Sequence, residues 1–196
     1  MNCNKKRILV IGNSGSGKST FSKFLGENLN IPVTHLDKIF WKPGWETRNR
    51  EEFDSIIKEI ILKDNWIIDG NYTRTLGLRA SRAELIYFFD YPVNFCVYRI
   101  YKRIFRSKFR IERRYDISEG CHERWYDREF VDFVRNFNKN SRPRIYSDLE
   151  EISFNKNNLV IFKNRKEFDK YKNSMKESKL SDQDPHPVMK SGRNDR

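Results

Sequence analysis

Cysteine is scarce in this chain of 196 residues: Cys3, Cys96 and Cys121 fall at no CxxC spacing. Neither a disulfide framework nor a cysteine-held zinc cluster is indicated. No apolar run approaches the roughly 18 residues that a membrane helix needs. The opening "MNCNKKRILVIG" lacks the apolar stretch and cleavage site of a secretory leader. A soluble cytoplasmic protein with no membrane partner is therefore expected. His35, His122 and His186 form no ligand spacing, and no internal repeat is visible. Helix-turn-helix, zinc-finger and RNA-binding aromatic motifs are lacking as well.

What is present in excess is positive charge, +12 overall. From Arg99 to Arg114, eight Lys or Arg stand against the single Glu112. Between them, Ile100, Tyr101, Ile104, Phe105 and Phe109 recur as they would on a helix with one buried and one basic face. Such a face suits phosphate groups or nucleic acid. The length suits one domain with a sizeable core. From about Lys176 the chain becomes polar, carries Pro, Gly and Ser, and loses all apolar period. One domain over residues 1–175 and a disordered tail over 176–196 are expected.

Along the chain, strand and helix patterns alternate. "RILVIG" is an apolar run of strand length, and "KSTFSKFLGENLN" places Phe21, Phe24, Leu25 and Leu29 at helical spacing. "PVTHLD" reads as a second strand, "REEFDSIIKEIILKD" as an amphipathic helix, "NWIIDG" and "ELIYFFD" as strands three and four. A long basic helix begins near Val93, helices resume around residues 128–138, and "LVIFKN" is a late fifth strand. Near-continuous apolar strands separated by helices predict an α/β fold with a parallel sheet covered on both faces. Residues 107–127 break the alternation and read as an inserted lid.

The most specific signal is "GNSGSGKS", Gly12 to Ser19, a Gly-x4-Gly-Lys-Ser loop after a strand and before a helix. Its glycines allow the backbone of Gly12, Asn13, Ser14, Gly15, Ser16 and Gly17 to curl its N–H groups around phosphate. The helix opening at Lys18, Ser19 and Thr20 adds its N-terminal partial charge. Lys18 is expected to reach the β- and γ-phosphates of ATP and Ser19 to hold Mg2+. A carboxylate is also needed near the metal. Asp37, Asp69 and Asp90 all fall at expected strand ends, where ligands of open α/β sheets bind. Asp69, followed by Gly70, is the choice for the group behind the metal's direct ligands.

The stretch "HLDKIFWKPGW" is too aromatic for a solvated loop and too charged for a core strand. Asp37 could orient or deprotonate an acceptor hydroxyl. Trp41 and Trp45, separated by a Pro43-Gly44 turn, could form a wall against a planar or sugar ring; packing over the sheet edge is the alternative. Arg74, Arg79 and Arg82 follow Asp69, where acceptor phosphates or carboxylates are often clamped.

The series GNSGSGKST, HLDKIFWKPGW, WIIDGNYTRT, LRASRAELIYFFDYP and LVIFKNRKEF resembles the DNA topology modulation (FlaR-like) family, a branch of the adenylate-kinase-like P-loop kinases, over roughly residues 7–172. The resemblance implies a five-stranded parallel sheet in the order 2-3-1-4-5 with a lid over the nucleotide. By the same match, Arg99 would stack on adenine and Arg103 would reach the phosphates from the base of the lid. Two departures stand out: the Thr-Gly helix start that receives the acceptor nucleotide in adenylate kinases is replaced by HLDKIFWKPGW, and the lid has no zinc-holding cysteines. An Asp after the second strand looks more like shikimate kinase. The expectation is an ATP- and Mg2+-dependent phosphotransferase acting on a small, anionic acceptor, a nucleoside monophosphate or a hydroxyl metabolite. The alternative is a nucleotide-dependent regulator of DNA topology that binds DNA through the basic face.

Overall fold

The computed structural model describes residues 6–108, 115–116, 118, 121 and 128–181. Strand β1 (Arg7–Gly12) is buried from Ile8 onward, which its unbroken apolar run requires. It pairs in parallel with β5 (Trp66–Asp69) on one side and β6 (Leu85–Phe89) on the other. Strand β2 (Val33–His35) adds outside β5, and β7 (Leu159–Phe162) outside β6. The resulting order, β2-β5-β1-β6-β7, is the expected 2-3-1-4-5 in terms of the main-sheet strands.

Helices cover both faces, as the apolar strands demand. On one face α1 (Lys18–Leu29), α5 (Val93–Lys108) and α8 (Arg165–Ser181) supply Phe21, Leu25, Cys96, Ile100, Ile104 and Phe168 to a core built on Ile8, Val10, Tyr87 and Phe89. On the other, α3 (Arg50–Ile61), α4 (Leu76–Ala80) and α7 (Phe137–Glu151) supply Phe53, Ile57, Leu76, Phe137, Ile145 and Leu149 against Leu9, Ile11, Ile68 and Phe88. Each fully buried side chain of this size contributes about 1.5–3 kcal/mol of apolar burial. Helix α3 starts where Asn49 caps it, its side chain accepting from the Glu52 N–H at 2.7 Å.

Several elements differ from the sequence reading. The second strand stops at His35, because Leu36 turns into the core and opens a one-turn helix, α2 (Leu36–Phe40). Asp37 thus stands in the first turn of a helix and not on a strand tip. After it comes a small antiparallel hairpin, β3 (Trp41–Lys42) and β4 (Glu46–Thr47), turned by Pro43-Gly44 as expected. The helical region from 128 is two elements, α6 (Arg128–Arg135) and α7, broken at Asn136. Helix α7 carries Pro143 in its interior and still runs to Glu151, because Phe137, Ile145 and Leu149 bury on either side of the proline. Helix α8 reaches Ser181, beyond the expected start of the tail; residues 182–196 lie outside the described residues, as does most of the expected lid. Among the described residues no helix is long and apolar enough to cross a membrane.

The third expected strand-end carboxylate, Asp90, points away from the loop and into an ion cluster. Arg142 donates to both its oxygens, at 2.8 and 2.9 Å, and Lys163 Nζ lies 2.5 Å from Oδ2. Burial alone would raise the Asp90 carboxyl, but these two donors hold it below the usual carboxylate range. This cluster ties β6 to α7 and to the residue after β7.

Candidate active site

The loop after β1 has the curled backbone that its glycines allow. Gly12, Gly15 and Gly17 have φ of 144°, 83° and 98°. A Cβ on Gly15 would stand 2.5 Å from the Cys96 carbonyl oxygen, so both conformation and space exclude a side chain there. Helix α5 therefore packs directly on the loop. Arg99 of that helix donates from Nη1 to the Ser16 carbonyl at 3.0 Å and lies over the Phe95 ring. Burial, and then the nearby Arg165, lower the Arg99 pKa, which marks a concentration of positive charge at this wall. Asn13, fully buried, donates to the Val134 carbonyl at 3.0 Å and anchors the loop to α6. Cys96 is buried and its thiol is pushed up to about 11, so it is neutral at ordinary pH and serves packing.

One cavity of about 1200 Å³ runs along this loop. Ser14, Gly15, Gly17, Lys18, Ser19 and Thr20 line it from the loop and α1; Arg99, Lys102, Arg103 and Arg106 line it from α5. The basic helix face legible in the sequence thus looks into the cavity. Asp37, Trp41 and Trp45 line the same cavity. The two indoles meet edge to face, with centroids 5.3 Å apart, so the expected wall is two inclined rings and not a parallel pair. The Tyr72 hydroxyl donates to Asp37 Oδ1 at 2.9 Å, and Phe40 packs against both Tyr72 and Trp41.

None of the expected acceptor clamps, Arg74, Arg79 and Arg82, is in the lining. Arg74 is half exposed and bonded to Asp54, which raises the Arg74 pKa. Arg79 is fully buried beneath the loop after β5, with its guanidinium on backbone carbonyls. Arg74 thus donates from Nη1 to Asp54, and the Arg79 guanidinium donates to backbone carbonyls.

Asp69 is 3 % exposed and also lies behind the lining. Its Oδ2 is 2.8 Å from His35 Nδ1, while its buried Oδ1 accepts no hydrogen bond. An orphaned carboxylate oxygen at the end of the strand next to β1 fits a hydrated divalent cation, whose water would supply the missing donor. Among the described residues, no group of three or more His, Cys, Asp or Glu forms a metal cage by itself. Ser19 and the nucleotide phosphates would then hold Mg2+, with Asp69 behind them. His35, unassigned from sequence, orients Asp69; His122 and His186 lie outside the described residues.

Two residues that the sequence reading passed over matter here. The Asn71 carboxamide accepts from the Gly12 N–H at 2.9 Å and donates to the Gly12 carbonyl at 2.8 Å. Tyr72 holds Asp37. The signal was present, since a polar Asn-Tyr pair directly follows a strand-end Asp-Gly on the ligand-binding edge. From the expected lid, Tyr115 and Asp116 also line the cavity. Lys23 Nζ lies over the Tyr115 ring at 4.9 Å, and the Ser118 hydroxyl donates to the Lys38 carbonyl at 2.9 Å.

No family model and no curated protein matches the chain. Solved structures do. The shikimate kinase from Acinetobacter baumannii in complex with shikimate superposes over 92 % of this chain and 96 % of its own, with a TM-score of 0.55 and 14 % identity. The shikimate kinase from Bacteroides thetaiotaomicron gives a TM-score of 0.46 at 18 % identity, covering 89 % of this chain and 98 % of its own. A gluconokinase from Sinorhizobium meliloti 1021 gives 0.47 at 15 %, covering 81 % and 82 %. Of these three, the Acinetobacter superposition is close enough to establish a common fold, and at its identity it establishes the fold alone. The chain is an α/β protein with a five-stranded parallel sheet flanked by helices, the fold it shares with that shikimate kinase.

Proposed function

We propose that the chain is an ATP-dependent phosphotransferase that moves the γ-phosphate to a small hydroxyl acceptor. One observation carries this reading: the phosphate loop and the carboxylate of Asp37 line one and the same cavity. A nucleotide-binding protein without an acceptor has no use for a buttressed carboxylate beside two indoles in that place. The fold shared with a shikimate kinase supports it.

Phosphoryl transfer asks the protein for positioning and charge, with little covalent chemistry. The loop N–H groups and Lys18 hold the β- and γ-phosphates, and the α1 N-terminus adds its partial charge. Arg99 and Arg103 line the cavity from α5, where Arg99 would stack on adenine and Arg103 would stabilise the charge gained by the equatorial oxygens. Asp37 accepts the proton as the acceptor oxygen bonds to γ-phosphorus; the bond to the bridging oxygen breaks, and ADP leaves. Ser19, with Asp69 behind it, would hold Mg2+, which would supply neutralisation of phosphate charge. With Arg74 and Arg79 engaged elsewhere, recognition of an anionic acceptor would fall to the α5 cations.

The DNA-regulator alternative draws on the same basic helix. That Arg99, Lys102, Arg103 and Arg106 line the cavity favours nucleotide phosphates as their partners over an external duplex.

The test is ADP release from Mg-ATP by the full chain across nucleoside monophosphates, sugars and hydroxy acids, with Lys18→Ala as blank. An acceptor that lifts turnover far above the ATP-only rate establishes the reading. If ATP binds and none does, the transferase claim fails, and the salt slope of duplex binding decides the alternative.

A further inference from the structure

The residue expected to clamp an acceptor has another place in the molecule. Gly70, Asn71 and Tyr72 form the loop after β5, and the side chains of Asn71 and Tyr72 reach in two directions. Asn71 pins both backbone polar groups of Gly12, the first residue of the phosphate loop. Tyr72 donates to Asp37 on the acceptor side. This loop is not relaxed: Tyr72 has φ 34° and ψ 66°, a left-handed conformation that costs a bulky residue about 1–3 kcal/mol. Such a conformation persists only where the surroundings over-determine it.

Arg79 over-determines it. Its guanidinium donates from Nη1 to the Gly70 carbonyl at 2.9 Å, and from Nη2 to the Asn71 carbonyl and to the Tyr72 carbonyl at 3.1 Å. Nε donates to the Thr75 carbonyl and hydroxyl at 3.3 and 3.2 Å. Three consecutive carbonyls therefore converge on one fully buried planar cation. A lysine has no such rigid fork and could serve one or two of them at most.

We propose that Arg79 is a positioning residue for phosphoryl transfer, which holds the phosphate loop and the acceptor carboxylate at a fixed separation through Asn71 and Tyr72. The inference rests on the phosphotransferase reading. In-line transfer tolerates little error: a displacement of about 1 Å between reactants costs about a hundredfold in rate.

The experiment compares three full-length variants, each well below its own melting temperature, by steady-state kinetics and by calorimetry of Mg-ATP. Asn71→Ala should raise the KM and Kd of ATP about tenfold and leave the acceptor KM alone. Tyr72→Phe keeps its packing on Phe40 and Phe53, and should raise the acceptor KM about tenfold with the ATP Kd unchanged. Arg79→Lys should move both constants and lower kcat about a hundredfold. If Arg79→Lys loses stability but keeps wild-type ATP Kd, acceptor KM and kcat, Arg79 serves the fold alone and the proposal is overturned. If Arg79→Lys does not fold, Asn71→Ala and Tyr72→Phe decide: separated effects support the proposal, and absence of either effect sinks it. If no acceptor is ever found, the transferase reading has failed on its own, and an unchanged ATP Kd in Asn71→Ala and Arg79→Lys would independently remove the link to the phosphate loop.

Discussion

The two sides of the cavity are built in different ways. On the proposed reading the donor side is one contiguous segment, of which Ser14, Gly15 and Gly17 to Thr20 line the cavity, and its work would be done mostly by backbone N–H groups and one helix terminus. On the same reading the acceptor side is assembled from the α2 turn and hairpin, the loop after β5, and residues 115–116, and its work would be done by side chains. A site made of backbone needs only the right φ angles, so glycine spacing specifies it. A site made of side chains needs distant segments to arrive together, so it depends on the packing beneath it. Arg99 and Arg79 express the same contrast: the first donates to the loop from the cavity wall, the second from a fully buried position under the opposite loop.

Four substitutions test whether the sides are separable. Lys18→Ala should have the largest effect, lowering kcat/KM for transfer by about a thousandfold or more in the ADP-release assay. Asp37→Asn should come next, with kcat down about a hundredfold and the calorimetric Mg-ATP Kd unchanged. A matching loss of ATP affinity in that variant would break the comparison. Trp45→Ala should raise the acceptor KM about five- to tenfold without altering ATP binding; an unchanged KM would return the indoles to plain packing. Asp90→Asn should touch neither side. It should reduce stability in urea unfolding near neutral pH by about 2 kcal/mol, through loss of charge-assisted bonds to Arg142 and Lys163. The folded Asp90 pKa lies below its ordinary 3.8, so this contribution is full above about pH 4 and is lost as pH falls through the folded value. Wild type and variant should therefore converge in acid. A constant difference down to about pH 2 would refute that attribution.

Four of the five main-sheet strands were legible as near-continuous apolar runs, β2 (Val33–His35) being the exception, and their order follows the resemblance. The phosphate loop was legible because its motif sits between a strand and a helix. Asp37 was found by its place after the second strand, yet its neighbour Tyr72 was not, since the two are 35 positions apart and only the pairing of β2 with β5 brings them together. Arg74 and Arg79 looked equivalent in sequence. The fold separated them, sending one out to Asp54 and the other beneath the Gly70–Tyr72 carbonyls.

The sequence alone determined the α/β class, the glycine-rich loop between β1 and α1, and the basic helix, because local periodicity and glycine placement are properties of contiguous residues. The tertiary structure decided which arginines face the cavity, which of the three expected strand-end carboxylates has a buried orphan oxygen, and what holds Asp37. Those outcomes depend on long-range pairing, which sets each side chain's neighbours and leaves no mark in the order of residues along the chain.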